Sequence, residues 1–229
     1  MYRRISFLGS LLVIASLVAA CSGNAATPTS APAQATTASG ATTALPAGAF
    51  RLNLVADGTQ ARYRVREQLA QLSLPSDAIG KTSAVTGALV VNSDGTLVAG
   101  QSKFVVDLTS LQSDRSQRDH FVQGMLLETS QYPTAEFDPA TVTGLPSPLP
   151  TSGAVNFQLA GNLIVHGVTR PTTWGVSSQI INSGQALTGT ATTNFKFEDF
   201  SISQPHVSVV LSIVDNITLE LDFHLVKAS

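Results

Sequence analysis

Alternation of apolar and polar side chains with a period of two, sustained from about Phe50 to Lys227, is the feature that most constrains this chain. In "VNFQLAGNLIV" Val155, Phe157, Leu159, Leu163 and Val165 share one face, and Asn156, Gln158 and Asn162 share the other. In "ITLELDFHL" Ile217, Leu219, Leu221, Phe223 and Leu225 oppose Thr218, Glu220, Asp222 and His224. "ARYRVRE" sets Tyr63 and Val65 against Arg62, Arg64 and Arg66, and "LTGTATTNFKF" sets Leu187, Ala191, Phe195 and Phe197 against a polar row. Side chains alternate faces along a strand, so each segment has one dry side and one wet side. Turn chemistry separates the segments. "NSDG" at 92–95 marks a hairpin, "HGVTRP" at 166–171 a second reversal and "NSG" at 182–184 a third. "VVLSIVD" and "NITLELDFHLV" read either as one long bent strand or as two. The count is eight or nine strands with one wet face, an all-β antiparallel barrel or sandwich. The length from Phe50 to Lys227 suits one domain with a core of its own.

One segment breaks the pattern. "SDRSQRDHFVQGMLLETSQYPTAEFD", residues 113–138, concentrates charge in a chain that is only 12% charged. Asp114 with Arg118, and Arg115 with Asp119, are spaced i to i+4, as on one helix face. Ser113 or Ser110 is placed to cap its start. Phe121, Val122, Met125 and Leu126 form a helix-spaced apolar stripe, although Gly124 weakens the helix, so one helix and two short turns fit equally near 113–128. This segment is expected to close one end of the barrel, polar side in water and apolar stripe inward.

The N-terminal 48 residues are of a different kind. After Tyr2-Arg3-Arg4, the run from Ile5 to Ala20 is almost wholly apolar, yet shorter than the roughly 20 residues that span a bilayer. It closes on "LVAAC", which is similar to a bacterial lipobox and implies cleavage after residue 20 and lipidation of Cys21. Cys21 is the only cysteine, so neither a disulfide nor thiol chemistry is available to explain it. Residues 22–48 carry no charge and no aromatic ring and are mainly Ala, Thr, Ser, Pro and Gly, which reads as a disordered linker with a reach of roughly 30 Å. The expected division is a signal peptide at 1–20, a lipidated cysteine and linker at 21–48, and the barrel domain at 49–229. Removing Arg3 and Arg4 leaves 11 basic residues against 15 acidic, a net charge of −4. No basic patch is present, so nucleic acid is not an expected partner.

Several of these segments resemble one family. "SLQSDRSQRDHFVQGMLLETSQYPTAEF", "LAGNLIVHGVTRPTTWGV", "NFKFEDFSIS" and "VVLSIVDNITLELDFHLV" are similar, in order, to the pattern of YceI-like proteins over about residues 50–227. The resemblance implies a lipocalin-like antiparallel barrel of about eight strands around an elongated apolar tunnel. It also implies an extracytoplasmic protein that holds polyisoprenoid chains, such as isoprenoid quinones or prenyl phosphates. The chain departs from the pattern at Glu67-Gln68, where the family often has a histidine, at "QLSLPSDAIGKTSAVTGAL", and at Phe121-Val122, with His120 shifted.

The residues expected to line the interior are Tyr63, Phe104, Val106, Leu108, Phe121, Met125, Phe157, Leu159, Trp174, Phe195, Phe197, Leu219, Leu221 and Phe223. Ala61, Ser102, Gly161, Ser178, Gly189, Ala191 and Thr193 fall on the same faces and are small enough to leave volume unfilled. A barrel of this size otherwise packs shut. Arg115 or Arg118 is placed to meet a polar head, a quinone carbonyl or a phosphate. His120 beside Asp119 is the one pair with acid–base character, though no Gly-x-Ser-x-Gly elbow accompanies it. His166 sits in a turn, where its side chain is expected to bond the turn backbone. The four histidines show no metal-ligand spacing, so neither a metal nor a cofactor is expected. Three classes of function follow: a membrane-tethered carrier of an apolar isoprenoid lipid, an enzyme acting on such a lipid through His120 and Asp119, and an interaction scaffold. The first is the reading taken. A homodimer is compatible with it and not required.

Overall fold

The computed structural model describes residues 45–228; Cys21, the expected signal peptide and the expected linker up to residue 44 lie outside the described residues. Leu45 to Gly48 lead into the barrel through a turn in which the Ala49 amide donates to the Pro46 carbonyl at 3.0 Å. No helix among the described residues is long and apolar enough to cross a membrane.

Ten antiparallel strands form a single sheet: β1 (Phe50–Leu54), β2 (Gln60–Leu69), β3 (Ser76–Thr82), β4 (Val85–Val91), β5 (Lys103–Asp107), β6 (Thr134–Thr143), β7 (Gly153–Val165), β8 (Val168–Ile181), β9 (Ala186–Phe195) and β10 (Val210–Lys227). Their order is β1-β4-β5-β6-β7-β8-β9-β10-β2-β3, and β1 also pairs with β10, which closes the ring. The ten strands occupy eight positions. β1 and β2 lie end to end along one edge of β10, through Leu54↔Leu225 and Ala61↔Leu221, and β3 and β4 lie end to end beside them. The alternation expected from sequence therefore holds, and the two extra strands arise where long strands are interrupted.

The interruptions are satisfied locally. Between β1 and β2, Thr59 is 3% exposed; its hydroxyl donates to the Val55 carbonyl at 2.6 Å and accepts the His224 amide at 3.3 Å. Those bonds stand in for ladder bonds that the break removes. β10 is one 18-residue strand, bent by register shifts between Val210 and Ser212 and between Ile213 and Ile217. The turn at 92–95 does reverse the chain, with Val91 bridging Leu97, but β5 resumes only at Lys103. Between β7 and β8 the reversal takes two residues, His166 (φ 51°) and Gly167 (φ 71°), the geometry of a type I′ hairpin. A side chain at 167 would collide with the Tyr132 ring at 2.6 Å, which ties "HGVT" to "YP" in space.

Two ends of the barrel differ. At one, Gly48 lies beside Ser93, Gly95 beside Pro146 and Ser147, and Gly184 beside Pro150 and Thr151, so the domain begins there among short turns. The interior on that side is filled by buried Leu52, Leu89, Val91, Val155, Ile180 and Leu187. At the other end lie the β2–β3 and β7–β8 loops, the turn Phe197–Phe200 and the segment 108–131. Phe197 thus ends in a turn rather than on β9, yet it is still buried.

The small interior residues have separate explanations. Ser102 accepts the Val90 amide, Ser178 donates to the Val155 carbonyl, and Thr193 donates to the Thr173 carbonyl. At 189 a Cβ would stand 2.3 Å from the Ser177 carbonyl oxygen. At 161 it would stand 2.2 Å from the Asp138 carbonyl oxygen, because β6 bulges between Pro139 and Thr141 against that position. Backbone hydrogen bonds at the three hydroxyl residues and close strand contact at the two glycines, rather than open volume, account for these five. Gly161→Ala is expected to lower stability by about 1–3 kcal/mol, as overpacking does. Gly175→Ala, where the nearest atom is 4.0 Å away, is expected to cost far less. Urea unfolding of both variants checks this, and equal losses would contradict the close-contact account.

Candidate ligand-binding site

The interior is hollow at the looped end. A cavity of about 420 Å³ is bounded by β2, β3, β10, the segment after β5 and the turn after β9. That volume lies in the range of sites for small organic ligands. A second lobe of about 90 Å³ lies deeper, and Val106, Ala135 and Leu219 belong to the walls of both. The two lobes are therefore neighbours, and these three residues form the waist between them. Val209 lines the larger lobe and is 57% exposed, which places the opening there. Leu72, Leu74 and Leu211 are also exposed around it. Gln68 to Ser76 contains no charged residue, and Ser201 to Val214 contains no Asp, Glu, Lys or Arg.

The lid is the segment that broke the strand pattern. An α-helix, α1 (Ser116–Phe121), runs directly into a π-helical turn at Val122–Leu126. The Asp119 carboxylate reaches back to accept both the Ser113 amide (2.8 Å) and the Ser113 hydroxyl (2.6 Å), while Gln123 donates to the Leu111 carbonyl at 2.7 Å. The i to i+4 pair Asp114–Arg118 forms, whereas Arg115 contacts Asp114 at 3.7 Å instead of Asp119. Arg115 occupies the N-terminal cap position and neither Ser110 nor Ser113 takes it, although Ser113 Oγ does accept the Arg115 amide. The wider π turn also re-aims the apolar stripe. Phe121, Val122, Leu126 and Leu127 line the cavity, and Met125 is 70% exposed on the opposite side. Met125 is thus not a lining residue.

Of the other expected lining residues, Tyr63, Leu108, Phe121, Phe195 and Phe197 bound the larger lobe, and Phe104, Phe157, Leu159, Trp174, Leu221 and Phe223 bound the smaller. Val106 and Leu219 bound both. Ala61 and Ala191 are the small residues that do face cavity space. Sequence reasoning missed Val65, Leu69, Ala135, Ile202, Ile213 and, above all, Glu67. The period of two that puts Tyr63 and Val65 inside puts Glu67 inside as well, so the signal was present.

Glu67 is 7% exposed and its carboxylate lies 2.6 Å from Arg118 Nη2, itself only 14% exposed. Arg118 also holds the Asp114 carboxylate. Burial alone would disfavour the guanidinium charge, but Glu67 and Asp114 outweigh it and the Arg118 pKa is raised. Asp114 is held below the usual carboxylate range: burial opposes its charge, and the Arg118 hydrogen bond prevails. Tyr63 stacks over Gly80, where a Cβ would meet its ring at 2.2 Å, and burial pushes its hydroxyl up to about 12. Arg62 pairs with Glu220 and Asp222, and on the outer surface Arg64 and Arg66 pair with Asp77. Trp174 Nε1, in the wall of the smaller lobe, is buried without a hydrogen-bond partner among the described residues.

The acid–base pair is not assembled. His120 Nδ1 lies 2.7 Å from its own helix's Ser116 carbonyl, exposed, while Asp119 is committed to Ser113. His166 bonds the Phe200 carbonyl (3.4 Å) rather than its own turn, packs edge-on against Tyr132 at 4.8 Å between centroids, and has Glu128 at 3.5 Å. No group of three metal-ligating side chains converges among the described residues.

A closed antiparallel barrel with an apolar, end-opening cavity defines a calyx-type binding fold. The profile of the YceI-like domain matches residues 53–225, and the chain belongs to that family. Its fold is similar to that of a polyisoprenoid-binding domain from Saccharophagus degradans implicated in plant cell wall breakdown (14% identity, 77% of this chain and 98% of that one, TM-score 0.57). It is also similar to BcnA of Burkholderia cenocepacia (16%, 77% and 99%, TM-score 0.53) and to a Campylobacter jejuni YceI protein (15%, 70% and 89%, TM-score 0.52). No curated protein matches the chain.

The Tyr63 hydroxyl supplies a test of the site's dryness. Its folded pKa lies above its ordinary value of 10.0, so it favours the fold below about pH 10, and that contribution is lost as pH rises towards 12. In an absorbance titration one tyrosine is expected to ionise near 12 and to vanish in Tyr63→Phe. Ionisation of every tyrosine near 10 would mean that Tyr63 is hydrated.

Proposed function

We propose that the barrel binds one apolar, chain-shaped lipid of the isoprenoid type, a quinone or a prenyl chain, and carries it without transforming it. The observation that supports this most directly is the pair of neighbouring lobes that share Val106, Ala135 and Leu219, walled almost throughout by aliphatic and aromatic side chains. A flexible hydrocarbon gains roughly 0.8 kcal/mol for each CH₂ moved from water into such a space, so a chain that threads both lobes is retained more strongly than a compact molecule in one. The polyisoprenoid-binding relative with a similar fold supports the same ligand class. A carrier also fits the separate commitments of His120 and Asp119, which are not paired with each other.

The reading includes a location. Cys21, after the "LVAA" segment, is the lipidated N-terminus of a protein exported across the cytoplasmic membrane, and the uncharged linker holds the barrel near the bilayer. Leu74, Val209 and Leu211, exposed at the opening, give a lipid an apolar route between bilayer and barrel.

Two experiments test these statements. Trp174 is the only tryptophan and lines the smaller lobe, so an isoprenoid quinone that threads the barrel should quench its fluorescence. Ala135→Phe, which fills the waist, should weaken that quenching about tenfold or more, a loss of about 1.4 kcal/mol or more. Quenching that survives a blocked waist would place the ligand elsewhere. In cells, Cys21→Ser should abolish incorporation of labelled fatty acid and release the protein from membranes. Retention of both in the variant would refute the anchor.

A further inference from the structure

The polar cluster at the mouth bears on which head group the lipid carries, given the reading that the cavity holds a prenyl lipid. Each arginine in the wall of the larger lobe already has a carboxylate. Arg62 has Glu220 and Asp222, Arg115 has Asp114 at 3.7 Å, and Arg118 has Glu67 at 2.6 Å together with Asp114. Glu67 is the decisive member, because it is 7% exposed, points into the same space as Tyr63 and Arg118, and occupies part of the Arg118 fork.

A phosphate brings a charge of roughly −1.5 to −2 and three acceptor oxygens, and it binds tightly where an arginine offers a free fork. Here it would have to expel a buried carboxylate or lie beside one. An uncharged oxygen has no such conflict. It can accept from the Tyr63 hydroxyl, which burial keeps protonated at any physiological pH, or from an N–H of Arg118 that points away from Glu67. At the mouth the polar groups suit a carbonyl or a hydroxyl.

We propose that Glu67 is a specificity-determining residue: by neutralising Arg118 inside the mouth, it reserves the barrel for prenyl lipids with an uncharged oxygen head and turns prenyl phosphates away. The two classes differ only at the head, so selection is made there while the chain supplies the affinity common to both.

The full chain is to be titrated with geranylgeraniol and with geranylgeranyl phosphate, following Trp174 fluorescence and isothermal heats. The wild-type protein is expected to bind the alcohol at least about tenfold more tightly than the phosphate. Glu67→Gln, which keeps the shape and removes the charge, should shift that ratio by about tenfold or more towards the phosphate. Asp114→Asn, at a residue 70% exposed and safe for folding, should shift it the same way by a smaller factor. Equal or tighter phosphate binding by the wild-type protein overturns the proposal, as does an unchanged ratio in both variants. If neither compound binds the wild-type protein, the prenyl-lipid reading itself has failed, and that outcome is distinguished by the silence of both titrations.

Discussion

Closure of the sheet through β10 is the constraint on which the rest of the domain depends. That strand pairs along one edge with β9, over Ile217–Val226, and along the other with β2 and β1 in succession. An open sheet of this composition would expose a long apolar edge to self-association. The way the ring closes also dictates where it is hollow. Two strand positions are filled by tandem short strands, and the outer edge of β3 finds only the Lys81–Gln112 bridge, because β5 pairs with β4 on one edge and β6 on the other and not with β3. The chain after β5 is therefore free to cross the barrel end as a lid. Mouth, lid and cavity are consequences of an imperfectly matched ring.

Much of this was legible in the residues. Alternation located the strands, the "HG" turn located a hairpin, and the charged segment announced itself by breaking the period. What escaped has physical causes. Met125 and Leu127 exchanged roles because a π turn changes which residues share a face, and nothing in local composition marks such a turn. Gly161 and Gly189 read as spare volume, since a sequence does not reveal that a neighbouring backbone presses against the missing Cβ. The interruptions at Val55–Thr59 and Ser83–Ala84 split two barrel positions into tandem strands, which raises the expected eight or nine strands to ten. Glu67 was the avoidable omission, for the same rule that placed Tyr63 placed it too.

A buried ion pair inside an apolar tunnel is an unusual use of charge. Desolvating Glu67 and Arg118 costs more than a pair of apolar residues of similar volume would, and hydrocarbon walls offer little to offset that cost. Stability alone is thus a poor explanation for the pair. Its place is: the two groups sit where a ligand's polar end would come to rest, flanked by the Tyr63 hydroxyl and held by a lid that Asp119 fastens to Ser113. The lid and the cluster are coupled through Arg118, which belongs to α1 and reaches the barrel wall on β2. Movement of that helix would break the buried pair, so the charge that shapes the mouth also resists its opening.

The two poles of the barrel are not equivalent, and the chain joins it at the sealed one. Leu45 to Gly48 run in beside the 92–95 and 144–150 turns, with the filled core between them and the opening. On the proposed carrier reading, attachment would fall at the sealed pole and exchange at the open one, so the two tasks would not compete for the same surface.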